Sequence, residues 1–212
     1  MQHEIVDWLT TDVVTGQRTR FGEHAHAALS ALNDAELPYA VIGAVALAAR
    51  GLPRQTRDID VVVLVDTAFA ALDALATVGF RSAAPVDRGD EPEPMYVLVH
   101  DDGSEIDLLV AVAEPESMVI AEAGTAEVFG ARAPVATLEH LVLLYLYSNQ
   151  PRHFADLARI VTETEVDLAA VESYLREVHP EMLPVLRAKV EEARHPPPPP
   201  PRPSRRRLGD KR

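Results

Sequence analysis

The pattern of apolar and polar positions divides the chain into a part that mixes strands with helices and a part made of helices only. Over residues 1–135, short runs of β-branched residues alternate with alanine-rich helical stretches. Over 136–193, apolar residues recur at helical spacing alone. Six consecutive prolines, Pro196–Pro201, then favour an extended polyproline II segment. We therefore predict an α+β protein: a mixed β-sheet core with flanking helices over 1–135, a C-terminal helical bundle over 136–193 and a disordered basic, Pro-rich tail over 194–212.

Local periodicity predicts the first elements of the mixed part. Alanine and leucine at helical spacing predict a helix over Glu23–Ala35, followed by a strand at Tyr39–Ile42. His24 and His26 stand at the start of this helix. Because they are two apart, their side chains face different ways, and we interpret them as a solvated first turn rather than a metal site.

A hairpin is expected in the middle of the chain. Two apolar runs, Met95–His100 and Glu105–Ala111, flank the sequence Asp101-Asp102-Gly103, which is typical of a tight turn between antiparallel strands. Asp101 and Asp102 are therefore interpreted as turn residues and not as metal ligands.

The stretch Val41–Val65 contains the strongest candidate chemistry. An apolar run ends at Gly43 where a short helix begins, and backbone N–H groups at a helix start can bind phosphate. A β-branched strand follows and opens with Asp58 and Asp60. Residues two apart on a strand face the same side, so both carboxylates project together. Two neighbouring anions predict a cation between them, and Mg²⁺ is the expected ion because it binds carboxylates together with substrate phosphates.

A third carboxylate occurs in similar surroundings. The run Ser104–Val110 again places an acidic residue inside an apolar strand, where an unpaired charge is costly to bury. Glu105 and Asp107 share a face of this strand. We favour Asp107 because it lies deeper in the apolar pattern, with Glu105 as the reserve. Three carboxylates on neighbouring strands, beside a phosphate-binding turn, predict a two-metal site for phosphoryl transfer.

These residues together resemble the nucleotidyltransferase superfamily, whose pattern is a Gly-Gly or Gly-Ser turn, a helix, Asp-x-Asp and a later carboxylate on an adjacent strand. The connecting segment resembles the AbiEii-type branch, which includes toxins of toxin–antitoxin systems. The residues that carry the resemblance are Gly43, Ala46, Leu47, Gly51, Arg54, Thr56, Asp58, Ile59 and Asp60. Ala44 departs from the pattern, since it replaces Gly or Ser and leaves only backbone N–H groups for phosphate contact.

The resemblance extends into the C-terminal part. Arg152, Asp156 and Arg159 match a motif of the second C-terminal helix, whereas the family's lysine on the first is absent and Tyr145 stands near its place. An alternative interpretation keeps all four structural. In it, Arg152, Asp156 and Arg159 form surface pairs along one helix face, worth a few tenths of a kcal/mol each, and Tyr145 packs in the core.

The resemblance implies a metal-dependent nucleotidyltransferase that transfers NMP from an NTP to an acceptor hydroxyl on an RNA end such as tRNA, a protein or a small molecule. It implies two Mg²⁺ ions, with Mn²⁺ as a substitute, and an antitoxin partner if the chain is a toxin. The alternative is a catalytically weakened binding or regulatory module, favoured by Ala44 and the missing lysine. The residues expected at the site are the catalytic and metal-binding Asp58, Asp60 and Asp107, and the nucleotide-binding Gly43, Ala44, Arg54, Thr56, Arg152 and Asp156.

Charge and composition limit the partners. The net charge is −13, and the tail from Arg194 onward is basic at +6, so the rest carries −19. Because sequence-independent nucleic-acid binding needs Lys and Arg, any such contact is expected at the tail or at Arg50, Arg54 and Arg57. The apolar runs are far shorter than the roughly 20 residues of a spanning helix, and no secretory signal is visible. The chain has no cysteine, which fits a reducing cytoplasm. We therefore predict a cytoplasmic protein without a membrane partner.

Overall fold

The computed structural model describes residues 19–89, 91–148 and 150–196. Within these ranges seven strands form a single mixed sheet, and eight α-helices accompany it. The strands are β1 Tyr39–Val41, β2 Asp58–Leu64, β3 Arg81–Ser82, β4 Met95–Val99, β5 Glu105–Ala111, β6 Gly124–Val128 and β7 Ala131–Val135. The helices are α1 Arg20–Asp34, α2 Gly43–Ala49, α3 Ala68–Thr77, α4 Glu114–Ala121, α5 Leu138–Tyr147, α6 Pro151–Glu163, α7 Leu168–Val178 and α8 Leu183–Arg194, with 3-10 turns at Val65–Thr67 and Pro180–Met182.

The strand order across the sheet is β3-β4-β5-β2-β1-β7-β6. The central pair β2 and β5 is parallel, as is β1 with β7, and the other neighbours are antiparallel. The apolar residues of β2 at positions 59, 61, 62 and 63 are almost fully buried. Strands that are buried on both faces consist of continuous runs of β-branched residues, and such a run allowed β2 to be predicted from the sequence. The two strands that carry the acidic residues therefore lie at the centre of the sheet.

Side chains at the first turns fix where several helices begin. The Thr137 hydroxyl accepts a hydrogen bond from the backbone N–H of His140 at 3.3 Å, so α5 starts directly after β7. Asp167 accepts from the N–H groups of Ala169 and Ala170 at 3.0 Å and caps α7. Such caps satisfy donors that a helix start leaves without an intrahelical partner.

The predicted architecture is confirmed: a mixed sheet with flanking helices precedes a run of helices only, α5 to α8. The β4–β5 hairpin is also present, with antiparallel pairing from Val99 and Glu105 to Met95 and Leu109. The division into domains at residues 135 and 193 stays a prediction, and α8 continues through Arg194. The predicted disordered tail falls, beyond residue 196, outside the described part of the chain. None of the described helices combines the length and the apolar character that a bilayer crossing needs.

Candidate active site

The register of the two central strands brings the predicted acidic residues onto neighbouring positions. In the parallel β2–β5 pair, Asp60 is directly opposite Asp107, and Asp58 is opposite Glu105. Paired residues on adjacent strands point to the same face of a sheet. Asp58, Asp60, Asp107 and the reserve residue Glu105 therefore share one face at the start of β2 and β5.

The carboxylates on this face influence one another's charge. Burial, together with the negative charges of Asp58 and Asp107, raises the pKa of Asp60 from 3.8 to about 7. Burial also raises the pKa of Asp107, and Asp58 and Glu105 act in the same direction. Because like charges in a partly buried site resist ionisation, this face of the sheet favours a bound cation. Oxygen donors of this kind fit a hard divalent ion such as Mg²⁺.

The spacing of the aspartates is wider than that of a closed metal site. Their side-chain oxygens do not all lie within 4.8 Å of one another. Among the described residues, only the trio His24, His100 and Asp102 meets that spacing. Oxygens bound to one Mg²⁺ at 2.0–2.1 Å can be no more than about 4.2 Å apart. The donor types therefore fit the ion, while a single ion shared by Asp58, Asp60 and Asp107 requires their side chains to rotate towards it.

Thr56 orients the first aspartate. Its hydroxyl hydrogen-bonds the Asp58 carboxylate and also lies 3.3 Å from the Asp58 carbonyl oxygen. A hydroxyl two residues before an aspartate can hold that side chain in one rotamer. Thr56 therefore contacts the first of the three aspartates directly.

Gly43 lies against Asp60. Its φ is +62°, a conformation that favours glycine, and a Cβ at this position would overlap the Asp60 carboxylate. The backbone of the preceding Ile42 donates its N–H to the Asp60 carbonyl oxygen at 2.9 Å. The start of α2 is therefore in contact with the acidic face. Ala44 follows on α2, is fully buried and offers no side-chain hydroxyl.

Two arginines bring positive charge to the same face. Arg54 donates from Nε to Asp156 Oδ2 at 2.9 Å, and Asp156 on α6 is only 3% exposed. Arg152, also on α6, lies close enough to lower the pKa of both Asp60 and Asp107, against the effect of burial. The site thus has an anionic half on the sheet and a cationic half made by Arg54 and Arg152.

Arg159 and Arg50 have other partners. Arg159 pairs with Glu163 one turn along α6 at 3.2 Å, as the structural interpretation of that helix face expected. Arg50, predicted as part of a basic cluster for nucleic acid, donates to the carbonyl oxygens of Val135 at 2.7 Å and Ala136 at 2.9 Å. Because its guanidinium is occupied by backbone, Arg50 is a structural residue rather than a contact for a partner.

Tyr145 is buried, as the packing interpretation expected, but its polar end is at the site. The ring is 3% exposed and stacks on His153 with centroids 4.7 Å apart. Burial raises the pKa of the Tyr145 hydroxyl, and the charge of Asp156 raises it as well. The hydroxyl is buried and, among the described residues, has no hydrogen-bond partner. The only sequence signal for this placement is the position of Tyr145 near that of the family's lysine.

A second cluster was not expected from the sequence. His24, His100 and Asp102 form, among the described residues, the one group of three potential ligands whose ligand atoms all lie within 4.8 Å of one another. His24 had been interpreted as a solvated helix start and Asp102 as a turn residue. Asp102 does accept a turn hydrogen bond from the Ser104 N–H at 3.0 Å. The interpretation of His24 as solvated is wrong, since its side chain is 23% exposed and faces Asp102.

Comparison with known proteins gives similarity to solved structures alone. No protein-family model matches the chain, and no curated protein matches its sequence. The antibiotic-resistance factor ANT(2'')-Ia, in complex with adenylyl-2''-tobramycin, is 22% identical with a TM-score of 0.47, over 82% of this chain and 98% of that one. The lincosamide antibiotic adenylyltransferase LnuA, lincomycin-bound, is 14% identical with a TM-score of 0.44, over 67% and 97%. The Thermotoga maritima CCA-adding enzyme, complexed with tRNA, is 14% identical with a TM-score of 0.38, over 88% and 49%.

Proposed function

We propose that the protein is a metal-dependent nucleotidyltransferase that transfers NMP from an NTP to an acceptor hydroxyl. The TM-scores above are all below 0.5, so the proposal rests on this chain's own residues. The observation that carries it is the β2–β5 register, which places Asp58, Asp60 and Asp107 on one face. Burial and the neighbouring negative charges raise the pKa of Asp60 and of Asp107, and divalent cations would offset this charge conflict.

Asp58, Asp60 and Asp107 are the residues that would hold two Mg²⁺ ions, or Mn²⁺ in their place. Such ions lower the pKa of the acceptor hydroxyl and neutralise charge on the phosphates. In the reaction, a bond forms between the acceptor oxygen and the α-phosphorus, the bond from the α-phosphorus to the bridging oxygen breaks, and pyrophosphate leaves. The hydroxyl proton would pass to a carboxylate oxygen of Asp107 that does not bind an ion.

The cationic half of the site would bind the phosphates. Arg54 is held by the buried Asp156, which orders its guanidinium before the nucleotide arrives. Arg152 lies close to the acidic face, where it can offset charge on the leaving pyrophosphate. The backbone N–H groups that follow Gly43, including that of Ala44, are assigned to the β- and γ-phosphates. Thr56 contributes indirectly because it orients Asp58.

Incubation with labelled NTPs, Mg²⁺ and candidate acceptors tests this proposal. The acceptors are an RNA end such as tRNA, a protein hydroxyl and small hydroxylated molecules. Asp60→Asn should abolish label transfer. Asp66→Asn is the matched control, because Asp66 is exposed just beyond the end of the same strand and should transfer label at the wild-type rate. Equal transfer by the Asp60→Asn variant and the wild type would refute the mechanism.

We also infer a biological role from the AbiEii-type resemblance, namely that of a toxin with a cognate antitoxin. Induction in bacteria should then be toxic, and Asp58→Ala should remove the toxicity. Harmless induction of the wild type without any partner would contradict this role. The cytoplasmic location stays a prediction from the sequence.

A second candidate function is a binding or regulatory module with weakened catalysis. Two observations favour it: Ala44 is buried without a hydroxyl, and the aspartate oxygens are more widely spaced than a closed metal site requires. Calorimetry with ATP, CTP, GTP and UTP in Mg²⁺ separates the two candidates. Nucleotide binding without label transfer to any acceptor supports the module, whereas binding with transfer supports the enzyme.

A further inference from the structure

Three potential metal ligands from separate segments meet away from the aspartates. His24 is on the second turn of α1, His100 directly follows β4, and Asp102 lies in the β4–β5 turn. The chain brings them together across 78 positions, from His24 to Asp102. Their arrangement is independent of the proposed reaction.

One potential ligand atom from each residue of the trio lies within 4.8 Å of the other two, close enough for the three to converge on one ion. His24 Nδ1 lies 3.2 Å from Asp102 Oδ2, and His100 Nδ1 lies 3.3 Å from Asp102 Oδ1. Two ligands bound tetrahedrally at about 2.0–2.1 Å from a zinc ion are roughly 3.3 Å apart. His100 Nδ1 is also buried and, within the described part of the chain, has no hydrogen-bond partner of suitable geometry.

The two imidazole rings pack together beside Phe80. The rings of His24 and His100 stack with centroids 3.7 Å apart, and Phe80 packs edge-on against both at 6.4 and 5.4 Å. Two imidazoles that bind one ion in their ring planes have centroids roughly 5 Å apart, so the two rings must turn apart when the ion binds. On the far side of His100, a Cβ at Gly79 would lie 2.7 Å from Nε2. The backbone therefore closes over Nε2, and Nδ1 is the nitrogen of His100 that faces the cluster.

We propose that His24, His100 and Asp102 bind a divalent transition-metal ion of the Zn²⁺ type. Two imidazole nitrogens and one carboxylate suit zinc, iron or nickel, whereas Mg²⁺ takes oxygen ligands and fits the aspartate face instead. Ser104 Oγ, 3.3 Å from His24 Nδ1, or a water molecule completes the coordination. An open pocket of about 510 Å³, lined in part by Asp102 and Ser104, gives the ion access from solvent.

The bound ion would have a structural role. It joins α1 to Asp102 of the β4–β5 turn, three residues before Glu105, which is paired with Asp58 in the sheet. An ion that binds only the folded chain adds its binding free energy to stability. The site thereby supports the strand end next to the aspartates without itself contacting the proposed substrates.

Zinc titration of the full chain by calorimetry, with a Co²⁺ absorption spectrum as a second readout, tests the proposal. With excess Mg²⁺ present to occupy the aspartate face, the wild type should bind one Zn²⁺ per chain with an increased melting temperature, and Co²⁺ should give the visible bands of a low-coordinate site with nitrogen ligands. His24→Gln and Asp102→Asn should each weaken binding about 100-fold or more, since even losing a supporting partner of a ligand costs 10- to 100-fold. Asparagine at position 102 retains an oxygen acceptor for the turn hydrogen bond.

Two control variants make the result specific. His26→Gln changes a histidine on the same helix whose Nδ1 bonds the Phe129 carbonyl oxygen, so Zn²⁺ binding should be unchanged. Asp60→Asn should also leave it unchanged, which distinguishes this site from the aspartate face whether or not the protein is a nucleotidyltransferase. Zinc binding that survives both His24→Gln and Asp102→Asn, that is lost in Asp60→Asn, or that is absent from the wild type would overturn the proposal.

Discussion

Asp60→Asn should stabilise the metal-free protein while it abolishes the proposed activity. The pKa of Asp60 is raised from 3.8 to about 7 by burial and by the charges of Asp58 and Asp107. An acid whose pKa is raised on folding is protonated in both the folded and the unfolded state at low pH, so it does not lower the free energy of unfolding there. As the pH rises from about 4 to about 7, the unfolded chain releases this proton more readily, and the folded state loses stability. Asparagine has no such charge to form.

The magnitude follows from the shift. At 1.36 kcal/mol per pKa unit, ionised Asp60 costs the folded state about 1.5 kcal/mol at pH 5 and about 4 kcal/mol at pH 8. Between these pH values the wild type should lose about 2.5 kcal/mol relative to the variant. Asp60 is only partly buried, so solvent screening reduces the measured difference, and we expect about half of this value or more.

Urea denaturation in the presence of a chelator measures this difference. The wild type, Asp60→Asn and the exposed control Asp66→Asn are unfolded at pH 5 and pH 8, and only Asp60→Asn should gain stability relative to the wild type as the pH rises. Adding Mg²⁺ at pH 8 should stabilise the wild type and not the Asp60→Asn variant. If the free energies of unfolding of wild type and Asp60→Asn stay parallel from pH 5 to pH 8, Asp60 does not carry the charge conflict described here.

Three further substitutions test other parts of the site. Gly43→Ala should lower the free energy of unfolding by more than Gly51→Ala. Both glycines have a positive φ, which costs alanine about 1–2 kcal/mol, but only Gly43 abuts a carboxylate, and nothing lies within 4 Å of a Cβ at Gly51. Equal losses in the two variants would show that the contact with Asp60 is unimportant. Asp156→Asn should destabilise the fold by about 1–3 kcal/mol and raise the KM for NTP, because Arg54 loses its negatively charged partner. An unchanged KM in kinetic assays would show that Arg54 is not part of the nucleotide site. Tyr145→Phe should raise the free energy of unfolding by about 1 kcal/mol in denaturation, because it removes a buried hydroxyl that has no partner among the described residues. A loss of stability would show that the hydroxyl makes a hydrogen bond in the folded protein.

The elements that depend on local patterns could be predicted from the sequence. The β-branched run of β2, the Asp-Asp-Gly turn and the threonine cap of α5 all lie where their own residues specify. The sequence also indicated that Asp60 and Asp107 belong to one site, because an acidic residue within an apolar strand needs a compensating cation and both residues lie in such strands. Alternation along each strand then places both side chains on one face.

The contacts between distant segments could not be predicted in this way. His24 and Ser104 are 80 positions apart, and no periodicity connects a helix start with a hairpin turn. The same limit applies to Arg50, whose bonds to Val135 and Ala136 depend on how α2 meets the end of β7. Charge patterning indicated a basic cluster, whereas the fold directs Arg50 to backbone carbonyls and Arg54 to a buried carboxylate.

The two halves of the proposed site have different mechanical support. The aspartates are fixed by hydrogen-bonded strands in the middle of a sheet, whereas Arg152 and Asp156 depend on how the helix α6 is seated. A small shift of that helix would move Arg152 and Asp156 relative to the sheet, while the strands that carry the aspartates stay in place. Packing changes beneath α6 could therefore alter the proposed nucleotide contacts with no substitution among the acidic residues.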